Sequence, residues 1–129
     1  QVSAVASLSD AQVCHPGVEG WEAAGRLDGF LALTRRAWRD RGFGDFWQHM
    51  LVAQGSAEVA LDPEVSLWDL AAIKVIVEEA GGRFTDLAGR ATASGGSAVS
   101  SNGLLHDETL AILAGSAPGP AARGAGDRP

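Results

Sequence analysis

The sequence predicts an α/β fold, with helices layered on a sheet, and three observations predict it. Short strand-like runs alternate with helical periodicity from residue 1 to residue 114. The helical run at 67–80 is apolar on most of its surface, as expected of a helix lying against a sheet. The length, 129 residues, suits one compact domain with a real core.

Taken in order, Val2–Leu8 alternates in period two and is predicted as a strand, which Ala11–Cys14 extends. His15-Pro16-Gly17 is turn chemistry. Trp21–Arg41 is predicted as mostly helical: Phe30, Leu31, Leu33, Ala37 and Trp38 recur at helical spacing, and Arg35, Arg36, Arg39 and Asp40 crowd the other face. Gly42 and Gly44 break it. Asp45 is placed to cap a second helix, "FWQHMLVAQG", which stops at Gly55. Ala57–Leu61 is a short strand closed by Asp62-Pro63, since proline cannot continue a central ladder.

The long helix follows over Leu67–Ala80 and stops at Gly81-Gly82. Leu70, Ile73, Val77 and Ala80 form one stripe, and Ala71, Ala72, Val75 and Ile76 cover most of the rest, so burial on most sides is expected. Arg83–Thr85 is a strand, "DLAGR" a turn, Ser97–Ser101 a strand and His106–Ala114 a last helix. Trp38, Trp47 and Trp68 are expected in the core. Residues 115–129 are rich in Gly, Ala and Pro and read as a disordered tail. At the other end Gln1 leads straight into the alternating pattern, so the expectation is a chain that starts inside a fold.

A net charge of −6, from 16 acidic and 10 basic residues, argues against non-specific binding to nucleic acid or anionic membrane. No apolar run approaches the roughly 20 residues that a membrane span needs. One cysteine, Cys14, excludes an internal disulfide; a cytoplasmic location is the simplest setting, with Cys14 as a small buried hydrophobe. His15, His49 and His106 show no zinc-ligand spacing, no G-x-S-x-G occurs, and "GGS" at 95–97 does not make a phosphate loop.

Asp69 is the residue that asks for an explanation: a carboxylate beside Trp68 ahead of an almost wholly apolar run. Ser66 and Asp69 have the S-x-x-D spacing of a helix cap, so Asp69 can stabilise the opening turn. A carboxylate fixed there can also hold a hard cation such as Mg²⁺, which in turn holds a phosphate. One side chain can do both.

"WDLAAIKVIVEEAGG" resembles the C-terminal signature of the inositol monophosphatase superfamily, a W-D-x-A-A pattern followed by E-A-G-G. "RGFGDFWQHMLVAQGSAEVALDPEVSLWD", "GRFTDLAGR" and "GGSAVSSNGLLHDETLAIL" are similar to the bacterial histidinol-phosphate phosphatases within it. The likeness covers residues 1–114. It implies the layered α-β-α sandwich of that superfamily, a Mg²⁺-dependent phosphomonoesterase of histidine biosynthesis, and Asp69 as a metal ligand. It also implies that Asp62, seven residues before Asp69, reads the non-phosphate part of a small phosphomonoester substrate.

Asp45, where inositol-type members carry small residues, would suit a cationic substrate such as histidinol phosphate, and Arg41 would meet a phosphate or carboxylate. Plain alternatives stand beside these: Asp45 as a helix cap, Asp62 as an Asp-Pro turn residue, Glu64 in its place as reader, and Arg41 as a solvated helix-end charge. Other substrates on the same fold, inositol monophosphate or another small phosphomonoester, remain open, as does a non-catalytic binding module.

The superfamily's D-P-x-D-G-[ST] motif is absent; "DPEVS" at 62–66 does not match it. One carboxylate cannot complete the octahedral oxygen shell of Mg²⁺. The expectation is therefore the C-terminal half of a longer enzyme, inactive alone and self-associating through exposed apolar surface, whose full-length form is a homodimer by family likeness.

Overall fold

The computed structural model describes residues 1–42, 47–65 and 70–115. Its strands are β1 (Gln12–His15), β2 (Arg39–Gly42), β3 (Val59–Asp62), β4 (Arg83–Thr85) and β5 (Ala98–Ser101). Its helices are α1 (Val18–Ala23), α2 (Leu27–Arg36), α3 (Trp47–Ala53), α4 (Leu70–Glu79) and α5 (His106–Leu113). The strands form one mixed sheet in the order β2-β1-β3-β5-β4. β1 runs parallel to both β2 and β3, whereas β5 runs antiparallel to β3 and β4.

Alternation along the strands sorts side chains between two faces. Val13, Val59, Leu61 and Val99 point into a core with Trp21, Phe30, Leu33, Leu105, Ile112 and Leu113, so α1, α2 and α5 cover that face. Trp21 and Phe30 stack there with ring centroids 5.0 Å apart. The intervening residues Cys14, Ala60 and Ala98 face α3 and α4, against Val52, Ala53, Leu70, Ile73 and Val77. The predicted α-β-α layering is what the chain adopts. Small strand residues on the second face let α3 and α4 approach the sheet closely.

Four expectations need correction. Val2–Leu8 is not a strand. Its backbone is satisfied elsewhere: Val2 N–H donates to Ala80 O, Val5 O accepts from Asn102 Nδ2, and a 3-10 turn follows at Leu8–Asp10. The apolar residues still serve the core, Leu8 buried and Val5 packed against it.

Trp21–Arg41 is not one helix. Gly25, at φ +73°, ends α1 with Gly25 N–H on Glu22 O and Arg26 N–H on Trp21 O, a Schellman-type close. Arg39–Gly42 is a fully exposed edge strand, whose charges discourage pairing with another chain.

α4 is buried on one side only. Leu70, Ile73 and Val77 are buried, but Val75 is 57% and Ile76 43% exposed. Nor are Trp38 and Trp47 core residues, at 59% and 56% exposure. Trp38 instead lies under the Arg39 guanidinium, 4.5 Å from its ring centroid. Trp68 lies outside the described residues.

Candidate functional site

The parallel strands β2, β1 and β3 end together, at Gly42, His15 and Asp62. The carboxyl ends of parallel strands are where an open α/β sheet offers side chains to a ligand. A cavity of about 250 Å³ opens there, lined by Pro16, Gly17, Glu19, Gly20, Asp62, Pro63 and Glu64. The turn after β1 forms one wall and the Asp-Pro step after β3 the other.

Asp62 is the best-fixed carboxylate in this cavity. Gln48 Nε2 and His49 Nε2 both meet its Oδ2, at 2.9 and 2.7 Å. Gln48 Nε2 also donates to Leu61 O at 2.9 Å. The other nitrogen of His49, Nδ1, lies 2.7 Å from Ser100 Oγ on β5. Oδ1 of Asp62 has no partner among the described residues.

His15 ends β1 with a second carboxylate contact. Gly17 N–H donates to its Nδ1 at 3.1 Å, so Nε2 carries the proton and donates to Asp40 Oδ2 at 2.7 Å. Phe30 meets the ring edge-on at 4.8 Å. Cys14, fully buried in the same strand, has its thiol pushed up to about 11, chiefly by burial. It stays protonated and unreactive at neutral pH, the expected small hydrophobe.

Of the residues predicted from sequence, three lie among the described residues. Asp62 lines the cavity, and its neighbour Glu64 shares the wall. Arg41 sits on exposed β2, opposite Cys14, and β1 separates its strand from that of Asp62. Asp45 and Asp69 lie outside the described residues. Among the described residues no group of three or more His, Cys, Asp or Glu side chains converges to hold a metal ion.

Spacing gave no signal for Gln48, His49 or Ser100. The ring joins residues 13 positions apart on one side and 51 on the other, so only the folded sheet reveals the link.

Residues 17–117 match the model of the inositol monophosphatase family. The chain belongs to the inositol monophosphatase family. Within that family it is 55% identical over 112 residues to a histidinol-phosphatase of Streptomyces coelicolor, covering 87% of this chain and 42% of that one. A Mycobacterium tuberculosis histidinol-phosphatase is 49% identical over 112 residues, covering 87% and 43%. The chain thus spans about two fifths of the length of these curated relatives. Among solved structures, the Thermotoga maritima IMPase superposes with a TM-score of 0.78 at 27% identity, over 90% of this chain and 45% of that one. The inositol monophosphatase fold is therefore present here in one portion, the portion that carries Asp62.

Proposed function

We propose that residues 1–114 are the C-terminal domain of a Mg²⁺-dependent phosphomonoesterase that acts on histidinol phosphate in histidine biosynthesis; the tail expected from the sequence lies, from residue 116 on, outside the described residues. The observation that carries this reading is the 55% identity to a histidinol-phosphatase, against 27% to a solved IMPase of the same fold. The cavity at the end of β3 supports it chemically. A carboxylate with one oxygen unpartnered among the described residues is the group that would take up an ammonium or imidazolium. Asp62 is that reader, Asp45 its partner, and Arg41 the cation that would meet an anionic group of the substrate.

Asp69 is the metal ligand this chain contributes. The described residues do not form a metal site of their own, and the remaining ligands belong to the rest of the polypeptide. When bound, the metal supplies Lewis-acid charge and a water of lowered pKa. Alone, the chain lacks that shell and is inactive. Val75 and Ile76 on α4 are apolar surface for the rest of the enzyme to cover, and self-association is expected without it. The enzyme is read as cytoplasmic and homodimeric.

Phosphate release by the full-length polypeptide tests the substrate. Asp62→Asn or Asp45→Asn should lower kcat/KM for histidinol phosphate relative to inositol 1-phosphate by about tenfold or more, the scale of one charge-assisted contact. If both variants keep the parent's preference, the cationic-substrate reading is wrong.

A further inference from the structure

His49 and His106 make an instructive pair. Ser100 and Ser101 are neighbours on β5 and point to opposite faces, and each hydroxyl meets a buried histidine. His106 is closed on itself: its second nitrogen ends on the Thr85 hydroxyl. His49 differs in one respect, because its second nitrogen ends on a carboxylate that lines a cavity.

Resting on the reading of Asp62 given above, we propose that His49 is a positioning residue for substrate selection. With Gln48 and Ser100, it locks Asp62 so that Oδ1 is left for the cationic group of the substrate. An ionised carboxylate only accepts hydrogen bonds, so His49 Nε2 carries the proton and donates to Oδ2. Nδ1 then accepts from the Ser100 hydroxyl, which fixes the ring's tautomer and orientation. Gln48 adds a second donor on the same oxygen.

Two features separate this from ordinary core filling. Both donors converge on Oδ2 and none of the described residues takes Oδ1. Gln48 Oε1 is buried without a partner among the described residues, so the side chain's placement favours its donor end. His49 itself is 1% exposed, in a helix otherwise packed through Val52 and Ala53. An apolar residue would fill that space equally well but could not hold the carboxylate.

The experiment compares histidinol phosphate with inositol 1-phosphate in the full-length polypeptide. His49→Phe should reduce the preference for histidinol phosphate about tenfold, mainly through KM, while turnover of inositol 1-phosphate stays within about threefold. His49→Gln, whose amide can replace the lost donor, should restore most of the preference. Adding His49→Phe to Asp62→Asn should cause no further loss, because one residue acts through the other.

Equal losses on both substrates, or an unchanged preference in a folded His49→Phe protein, would overturn the assignment. Should His49→Phe not fold, Ser100→Ala decides: about a threefold fall in preference supports the role and none refutes it. The controls keep two failures apart. A neutral Asp62→Asn sinks the reading of Asp62 itself, whereas an effective Asp62→Asn with a neutral His49→Phe sinks only the positioning role.

Discussion

Asp69→Asn in the full-length polypeptide is expected to lower kcat at least about a hundredfold and to weaken Mg²⁺ binding in a metal titration. A hundredfold corresponds to about 2.7 kcal/mol of lost transition-state stabilisation, within the several kcal/mol that a catalytic cation contributes. The substitution separates the two roles that the sequence allows. Asparagine keeps the shape and polarity of the side chain and removes its charge. If the residue only stabilises the opening turn of the helix, loss of that charge costs at most about 1 kcal/mol of stability. Metal affinity and turnover would then survive. If it ligates a hard cation, thermal stability without metal changes little, while titration with Mg²⁺ shows a weaker site. Retention of both catalysis and Mg²⁺ affinity would remove the central support for a metal enzyme built on this residue.

The layers of the fold were readable from local pattern because burial follows the period of each element. The strands at 83–85 and 98–101 and the helices from residues 47, 70 and 106 lie where apolar periodicity puts them. The failures at Val2–Leu8 and Arg39–Gly42 have a common physical origin. Val2–Leu8 alternates because Val5 and Leu8 reach the core, but Asn102 and Ala80 take its backbone bonds, and alternation cannot report that. Arg39–Gly42 looks like the end of a helix until Gly25 is seen to close α1 and β1 to pair with Arg39–Gly42.

Trp38 and α4 misled for another reason. Hydrophobicity predicts burial only where something lies opposite, and no described residue covers the face with Val75 and Ile76. The site divides in the same way. Asp62 was accessible through the family likeness, which places a substrate-reading acid seven residues before Asp69, a linear relation. His49, Gln48 and Ser100 act through contacts across the sheet, and no motif encodes them.

Acidification tests the other buried histidine, and its sign follows from the hydrogen bonds. The Thr85 hydroxyl donates to Asp86 O, so it accepts from His106 Nε2–H. The Ser101 hydroxyl is 2.6 Å from His106 Nδ1 and accepts from Gly103 N–H, so its own proton goes to the ring. Both nitrogens of a neutral imidazole are thereby satisfied, and a second proton has nowhere to go. Burial first, and the nearby Arg83 charge second, lower the His106 pKa from 6.5 to about 4, against a smaller opposing effect of Asp107. Between these values the unfolded chain binds a proton that the folded chain refuses, so stability rises with pH across the window. The contribution is complete above pH 6.5 and disappears as pH falls toward 4. A shift of this size is worth of order 3 kcal/mol, taking about 1.4 kcal/mol per pH unit. Urea midpoints of the full-length polypeptide at pH 7, 5.5 and 4.5 should fall steeply, and those of His106→Gln should fall less, because an amide does not titrate. Parallel declines in the two proteins would show that His106 is not the group resisting protonation, and the drop would then belong to the carboxylates.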